Sequence, residues 1–290
     1  MKKVGIKFFS SIVFLLFVSC SDSFDGKNGI KTVKFSGTDK ICQTIEYKDG
    51  KKNGTLKEYF ENGNLKTVQQ FKDDKNVDSA LYYHGNGKLA AIQIHNDGKK
   101  VGCWKKYNEA GKLYSDMCFE DDRLNGTFLT YTYKSLNLIE RFNFRDGYKN
   151  GKQETFYNSG KPKSIEYYFD DRLCLGTKEW LETGELVDND FSIKCTEQNK
   201  VNLENTLYYT ISLENPRSDD EVFRVFEKDT GNIISKMQKL ERRGTNFVLQ
   251  FSVYKGGFIM EKVKLAAYRK TRLGNTFIKT TTFNASANHF

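Results

Sequence analysis

Residues 49–63 read DGKKNGTLKEYFENG, and this stretch decides the fold. It begins with Asp49-Gly50 and ends with Asn62-Gly63, dipeptides that readily adopt the positive φ angles of tight hairpin turns. The residues between them include Thr, Leu and Tyr, which are common in strands. The stretch therefore predicts one β-strand bounded by two turns.

The same pattern recurs six times along the chain. A marker residue follows the first turn, at steps of 24 or 25 residues, at Gly54, Asp78, Gly102, Gly126, Gly151 and Gly176. The turn-forming residues five positions earlier are Asp49, Asp73, Asp97, Asp121, Asp146 and Asp171. Four positions before the second turn lie the predicted repeat-core aromatics Tyr59, Tyr83, Tyr107, Tyr131, Phe156 and Trp180. A second aromatic slot holds Tyr47, Phe71, His95, Phe119, Phe144 and Phe169. Each unit is predicted to be a β-hairpin, and consecutive hairpins should extend one antiparallel sheet around a shared aromatic row.

The repeat resembles the MORN repeat variant family, whose pattern runs Asp-Gly-x-x-x-Gly, Tyr, then Asn-Gly. The resemblance covers about residues 25–187. Asp78 and Ser135 replace glycines of the pattern, Pro162 follows the fifth second turn, and an inserted residue predicts an irregularity at 133–143. The resemblance implies an elongated β-meander and says little about activity, although some relatives are labelled antitoxins.

The period ends near residue 190, and residues 191–290 contain six or seven short alternating runs. Phe247, Leu249, Phe251 and Val253 would share one face of a strand. These runs predict a small β-sandwich-like C-terminal domain, with an immunoglobulin-like arrangement as one form of it. A further sheet that extends or caps the array is the alternative. The fold class is thus all-β, with about six repeats at 47–187 after a tether and degenerate first repeat at 20–46.

The N-terminus has the layout of an export signal. Lys2, Lys3 and Lys7 precede an apolar run of about 11 residues, which is too short for a transmembrane helix. The segment LFVSC at 16–20 resembles a bacterial lipobox. This resemblance implies a signal peptide at 1–19, lipidation of Cys20, and a cell-envelope protein held to the membrane by its lipid, in the outer membrane if the cell is diderm.

The formal net charge of +9 is unevenly distributed. It divides into +3 for residues 1–19, zero for residues 20–190 and +6 for residues 191–290. A neutral repeat array argues against nucleic-acid binding along the repeats.

Few residues suggest a catalytic, cofactor or metal site. The three histidines form no recognised catalytic pattern, and neither a cofactor motif nor a metal site is predicted. Neighbouring turn aspartates should lie about 9.5 Å apart, too far to share a calcium ion. Cys103 and Cys118 flank the turn at 109–112 symmetrically, so they would face each other and could form a disulfide. Unpaired, half-buried thiols are the alternative, and the odd count after Cys20 leaves at least one thiol without an intrachain partner.

Three functions fit this sequence, none of them enzymatic. The favoured one is an interaction or scaffold module on a lipid tether, with another envelope protein as its partner. The second is a carbohydrate- or anionic-lipid-binding lipoprotein, which would use Trp104, Trp180 and the tyrosines for a glycan or the basic clusters at 241–243 and 269–272 for headgroups. The third is an immunity or antitoxin-like protein, which co-encoding with a toxic neighbour would distinguish.

Overall fold

The structure is a computed structural model that describes residues 23–226 and 237–290. The predicted signal peptide and the predicted lipidation site Cys20 lie outside the described residues. The chain forms two compact units, one ending at Arg123 and one beginning at Leu124. In the described parts of the chain, no helix is long and apolar enough to cross a membrane.

The first unit is an antiparallel meander in which each strand pairs with the next. Its strands are β1 (Ser23–Phe24), β2 (Gly29–Lys34), β3 (Ile41–Lys48), β4 (Lys51–Tyr59), β5 (Leu65–Lys72), β6 (Lys75–Tyr83), β7 (Leu89–Asn96), β8 (Lys99–Tyr107) and β9 (Leu113–Glu120). The predicted all-β meander of hairpins is confirmed.

Two kinds of turn alternate in this meander. Two-residue turns begin at Asp49, Asp73, Asp97 and Asp121, whose φ angles lie between 45° and 52°. Asp tolerates this left-handed conformation better than most residues. Five-residue loops connect the strands at the opposite end, as at 60–64, where the Phe60 N–H donates to the Asn64 carbonyl at 2.8 Å.

The glycine markers occupy a bulge in the strand that follows each two-residue turn. The register between β3 and β4 shifts between Ile45 and Tyr47, and Gly54 lies in that interval with φ +122°. A Cβ at Gly54 would approach the Cβ of Glu46 to 2.8 Å, so no larger residue fits there without a shift. Asp78 replaces this glycine in the next repeat by adopting φ 61° and accepting the Ser79 N–H on its carboxylate at 2.8 Å.

Side chains join the turns of neighbouring hairpins. Asp74 Oδ1 accepts the Lys52 N–H at 2.8 Å, and Asp122 Oδ1 accepts the Lys100 N–H at 3.0 Å. Along the other edge, Asn86 Nδ2 donates to the carbonyl of the next loop at 3.0 Å. Each turn is therefore held by its neighbour in the meander.

The second unit continues with the same hairpins. Its strands are β10 (Arg123–Tyr131), β11 (Leu138–Arg145), β12 (Tyr148–Lys149), β13 (Gly151–Phe156), β14 (Pro162–Phe169), β15 (Arg172–Leu173) and β16 (Lys178–Glu179). The predicted irregularity is a six-residue loop at 132–137, in which Leu136 has φ 58°.

In the last hairpin the two-residue turn begins at Asp170 rather than at Asp171. Both residues have positive φ, 48° and 62°, and β14 ends at Phe169. Asp171 is therefore the second turn residue, and Tyr168 occupies the aromatic slot that the spacing assigned to Phe169. The extra residue of this repeat follows the turn, so counting back from Gly176 shifts the alignment by one.

The C-terminal segment forms two four-stranded sheets that face each other. The first has the order β17 (Ile193–Lys200), β18 (Thr206–Leu213), β22 (Asn246–Ser252) and β21 (Glu241–Arg243). The second has the order β20 (Met237–Lys239), β19 (Glu221–Val225), β23 (Phe258–Lys270) and β24 (Thr276–Asn288). A single turn, α1 (Val201–Glu204), connects β17 to β18. Both sheets contribute to one core, in which Leu207, Ile211, Val222, Leu265 and Ala267 are completely buried. The predicted β-sandwich is confirmed.

The outer face of β23 packs against the last hairpins of its own unit. Ala266, Val225 and Ile278 are buried there against the partly buried Leu173 and Leu175. Ala266 therefore lies on the opposite face of β23 from the sandwich core. The C-terminal sheets thus form a sandwich and also cover the end of the repeats.

Candidate interaction surface

Strand alternation divides the side chains of the first unit between two faces. One face, here called the polar-aromatic face, carries Gln69, Tyr82 and Gln93 on successive strands. Gln69 Nε2 donates to Tyr82 Oη at 2.9 Å, and Tyr82 Oη donates to Gln93 Oε1 at 3.1 Å. Burial raises the pKa of the Tyr82 phenol, which keeps it a donor at neutral pH. The polar groups of this row satisfy one another.

An aromatic cluster lies on the same face near the two-residue turns. Trp104 stacks between His95 and Phe119, with ring centroids 5.4 and 4.9 Å away. The Lys100 ammonium lies 5.1 Å from the Trp104 ring centroid and 5.5 Å from that of Phe119. Burial lowers the pKa of His95, and Lys100 lowers it further, against an opposing effect of Asp122. His95 therefore packs as a neutral ring.

Replacing His95 with Phe should stabilise the protein by about 1 kcal/mol, since it removes a buried polar atom. Among the described residues, His95 Nδ1 has no hydrogen-bond partner. Because its pKa is lower in the folded state, native stability falls as the pH drops below the unfolded value of about 6.5. Thermal unfolding at pH 7.5 and 5.5 should show a smaller difference for His95→Phe than for the unchanged protein. An identical pH dependence in both would contradict this account.

The opposite face of the first unit, here called the aliphatic face, has an apolar centre between Lys57, which lies opposite Val68, and Lys105, which lies opposite Ile92. The aliphatic residues of this centre are Val68, Val77, Leu81, Ile92, Ile94 and Val101. Val68, Leu81 and Ile92 lie side by side on three neighbouring strands, and Ile94 lies opposite Val101. All six side chains are half-buried, and within this unit the substantial contacts of each strand are with its neighbours in the sheet. Six aliphatic side chains thus form one patch without a second layer of that unit over it.

The corresponding face of the second unit has an ion pair at its centre, between the apolar residues Leu129 and Ile165. Glu154 accepts Arg141 Nη1 at 2.9 Å and pairs with Lys152 Nζ at 2.6 Å. Burial would raise the pKa of Glu154, but the hydrogen bonds from Lys152 and Arg141 outweigh it and lower the pKa. The centre of this face is therefore aliphatic in the first unit and charged in the second.

The structure places the predicted repeat-core aromatics at strand ends, where all six are half-buried. For Tyr59, Tyr83 and Tyr107, the sheet of the first unit has no second layer of that unit to bury them fully. On the polar-aromatic face, the fully buried side chains are smaller ones, among them Ile45 and Ala80.

Cys103 and Cys118 lie directly opposite each other on β8 and β9 and form a disulfide with an Sγ–Sγ distance of 2.00 Å. Cys42, Cys174 and Cys195 are free thiols. Burial raises the pKa of all three, which disfavours the reactive thiolate.

In the predicted basic clusters, Arg269 and Arg242 are engaged in the sandwich, whereas Arg243, Lys270 and Arg272 are exposed. Arg269 is buried and makes two hydrogen bonds of 2.8 Å to the Asp220 carboxylate. Arg242 donates to the carbonyls of Arg217 and Asp220 and lies 4.7 Å from the Phe247 ring centroid. These guanidinium groups support the loops of the domain and are not presented to an external anion.

The repeated hairpins and their interlocked turns define a protein of tandem antiparallel β-hairpin repeats. Three segments match the MORN repeat variant family, at residues 52–73, 100–121 and 149–170. The resemblance to this family is therefore confirmed. No curated protein matches the chain.

The matched segments reveal a longer period than the 24-residue hairpin. Each begins at a lysine, Lys52, Lys100 or Lys149, whose ammonium lies 4.9 to 5.5 Å from an aromatic ring near the end of the same segment. The backbone N–H of each lysine also donates to an Asp carboxylate 22 residues later. The hairpins between them have Asn76, Leu124 or Leu173 at that position. Sequence reasoning missed this alternation, although the second strand residue after each two-residue turn carries the signal.

Proposed function

We propose that this protein is a lipid-anchored, non-enzymatic interaction module of the cell envelope, and that its aliphatic face binds another envelope protein. The observation that carries the proposal is the patch formed by Val68, Leu81, Ile92 and their three neighbours on the first unit. Contiguous apolar patches of this kind on soluble domains typically mark binding sites. Covering the patch would remove further apolar area from water, at about 25 cal/mol per Å².

The placement of the histidines supports a role without catalysis. His84 Nε2 is hydrogen-bonded to the Tyr107 carbonyl at 2.8 Å, and His289 Nδ1 to the Val253 carbonyl at 3.0 Å. His95 packs in the aromatic cluster. All three rings are therefore occupied in structural contacts.

The anchor is the second part of the proposal and rests on the lipobox-like segment ending at Cys20. Lipidation there would hold the repeats at a membrane surface, in the outer membrane of a diderm cell. A tethered module meets membrane partners at a high local concentration, so shallow contacts can suffice for binding.

The glycan and anionic-lipid alternatives find less support. The Lys100 ammonium lies over the Trp104 ring, which neighbouring rings also flank, so this surface is not open for stacking on a sugar. The basic side chains that would contact headgroups include the buried Arg269 and the engaged Arg242.

Proximity crosslinking in intact cells tests the proposal. The unchanged protein should capture a reproducible envelope protein, and Leu81→Lys should reduce that capture at least about tenfold, since a charge buried in an apolar contact is costly. Ala110→Lys, an exposed loop position, is the matched control and should leave capture unchanged. Cys20→Ala should abolish both incorporation of a labelled fatty acid and capture.

Thermal unfolding of each variant separates loss of binding from loss of fold. If Leu81→Lys stays folded and captures the same protein as efficiently, the aliphatic face is not the binding surface. If polysaccharide or lipid is captured with no protein enriched, the interaction module itself is excluded. If Cys20→Ala still incorporates the fatty acid, the anchor is not at Cys20.

A further inference from the structure

The disulfide on the aliphatic face has a carboxylate beside it. Asp116 precedes Cys118 by two residues on β9, so both side chains project from the same face, and Cys103 lies directly opposite Cys118 on β8. The two sulfur atoms and one Asp116 carboxylate oxygen all lie within 4.8 Å of one another. Three potential metal ligands are therefore gathered on two neighbouring strands.

One oxygen of the Asp116 carboxylate is left unpaired within the described parts of the chain. Its Oδ1 is shielded from solvent, and among residues 23–226 and 237–290 no hydrogen-bond donor reaches it. Buried acceptors are nearly always paired in folded proteins, so an orphaned one requires an explanation. A disulfide has no proton to donate, whereas two thiols or a bound cation would supply a partner.

We propose that reduction of the Cys103–Cys118 disulfide opens a binding site for a thiophilic divalent cation such as Zn²⁺, with Cys103, Cys118 and Asp116 as its ligands. The reductant belongs to the class of dithiols. Two electrons and two protons pass from the dithiol to the protein disulfide, which yields two cysteine thiols and one oxidised dithiol. The cation then displaces both thiol protons to solvent and binds the two thiolates and the carboxylate.

The geometry suits zinc. Zinc–sulfur bonds of about 2.3 Å in a tetrahedron place two sulfur ligands about 3.8 Å apart, so the sulfur atoms, which the disulfide holds 2.00 Å apart, must separate once it is reduced. Cysteine side chains that lie directly opposite each other can separate by rotation about their Cα–Cβ bonds. Water would complete the fourth position, since both cysteines are half-buried rather than sealed. Thiolate ligands select zinc and similar cations over calcium and magnesium, which prefer oxygen. The three anionic ligands and a divalent cation carry a charge of −1, and Lys105 lies opposite Asp116 to offset it.

Cobalt is the probe, because Co²⁺ is coloured in thiolate sites that Zn²⁺ fills silently. The full chain, purified in mild detergent and reduced with a dithiol that is then removed, should bind one Co²⁺ per chain. This complex should show a sulfur-to-cobalt charge-transfer band that Zn²⁺ abolishes. The oxidised chain should show no band. Asp116→Asn should bind at least about tenfold more weakly, since even changes in outer-shell partners cost ~10–100-fold in affinity.

The double variant Cys103→Ser/Cys118→Ser keeps the free thiols Cys42, Cys174 and Cys195 and is the matched control. A charge-transfer band of equal strength in that variant would assign binding to the other thiols and overturn the proposal. Equal affinity in folded Asp116→Asn would also overturn it. If Asp116→Asn does not fold, Asp116→Cys replaces it: a third thiolate should tighten Zn²⁺ binding, and unchanged affinity would place residue 116 outside the site.

Discussion

Replacing Asp220 with Ala should lower the free energy of unfolding by about 3–5 kcal/mol, because it leaves a buried guanidinium without its counter-charge. The Asp220 side chain is fully buried and that of Arg269 is 7% exposed. Besides its two bonds to Asp220, Arg269 donates to the Glu214 carbonyl at 2.9 Å, and its guanidinium lies 4.0 Å from the Phe191 ring centroid. Asp220 also accepts the Arg217 N–H at 2.8 Å, so one carboxylate binds both Arg269 and the backbone of the loop that precedes β19.

Asp219→Ala is the matched control, because this neighbour is exposed and its removal should change stability by less than about 0.5 kcal/mol. Urea unfolding followed by tryptophan fluorescence measures both variants, and Trp180 lies in the same unit as the ion pair. Burial raises the pKa of Asp220, but the hydrogen bonds from Arg269 outweigh it, so the net pKa lies below its usual value. The stabilisation is therefore present above about pH 4 and is lost as the pH falls through the folded-state pKa. Equal stability of the two variants would show that the ion pair contributes nothing.

Replacing Glu179 with Ala should destabilise the second unit by about 3 kcal/mol or more. Glu179 is completely buried where β16 meets the C-terminal sheets. Its carboxylate accepts Thr271 Oγ1 at 2.5 Å, Asn275 Nδ2 at 2.6 Å and Asn189 Nδ2 at 3.0 Å. Each buried donor that loses its acceptor costs about 1–3 kcal/mol, and the truncated side chain also leaves a cavity.

Glu179→Gln distinguishes these contacts from simple packing, since the amide keeps one acceptor oxygen and nearly the same volume. It should cost less than half as much as Glu179→Ala. Hydrogen exchange should show the loss of protection at β16 and in the loop between β23 and β24 in Glu179→Ala, since the contact joins these segments. If both variants lose protection equally, an acceptor oxygen at this position is not what secures the junction.

The repeats could be predicted because their turns are local. Turns such as Asp49-Gly50 and Asn62-Gly63 require particular backbone angles, so the same few residue types recur in the sequence wherever the turn recurs. The spacing alone assigned the last turn to Asp171, one residue after its true start at Asp170. Spacing shows that this repeat has one extra residue, but it does not show on which side of the turn the residue lies.

The faces of the sheet and the C-terminal junction could not be derived in this way. The bulge around Gly54 adds residues to one strand, so alternation counted from the turn does not reveal which side chains share a face. Glu179 and Asn275 are far apart in the sequence, and nothing near either residue indicates that they meet. A buried Glu and a buried Arg269 also contradict the usual preference of charged residues for the surface, which is why the basic cluster at 269–272 suggested an exposed binding site.

Hairpins with a lysine at the position of Lys52 alternate with hairpins that have another residue there, and this alternation sets the length of sequence by which the array could grow or shrink during evolution. Deleting the hairpin turn that contains Asp74 would place a turn with glycine at this position beside Lys52, so that the Lys52 N–H would lose the carboxylate to which it donates. Deleting two hairpins, the interval of 48 residues from Lys52 to Lys100, would restore every such pair. Gene duplication and loss in this lineage should therefore proceed in steps of two hairpins, and arrays with an odd number should carry an altered turn where the pattern is interrupted.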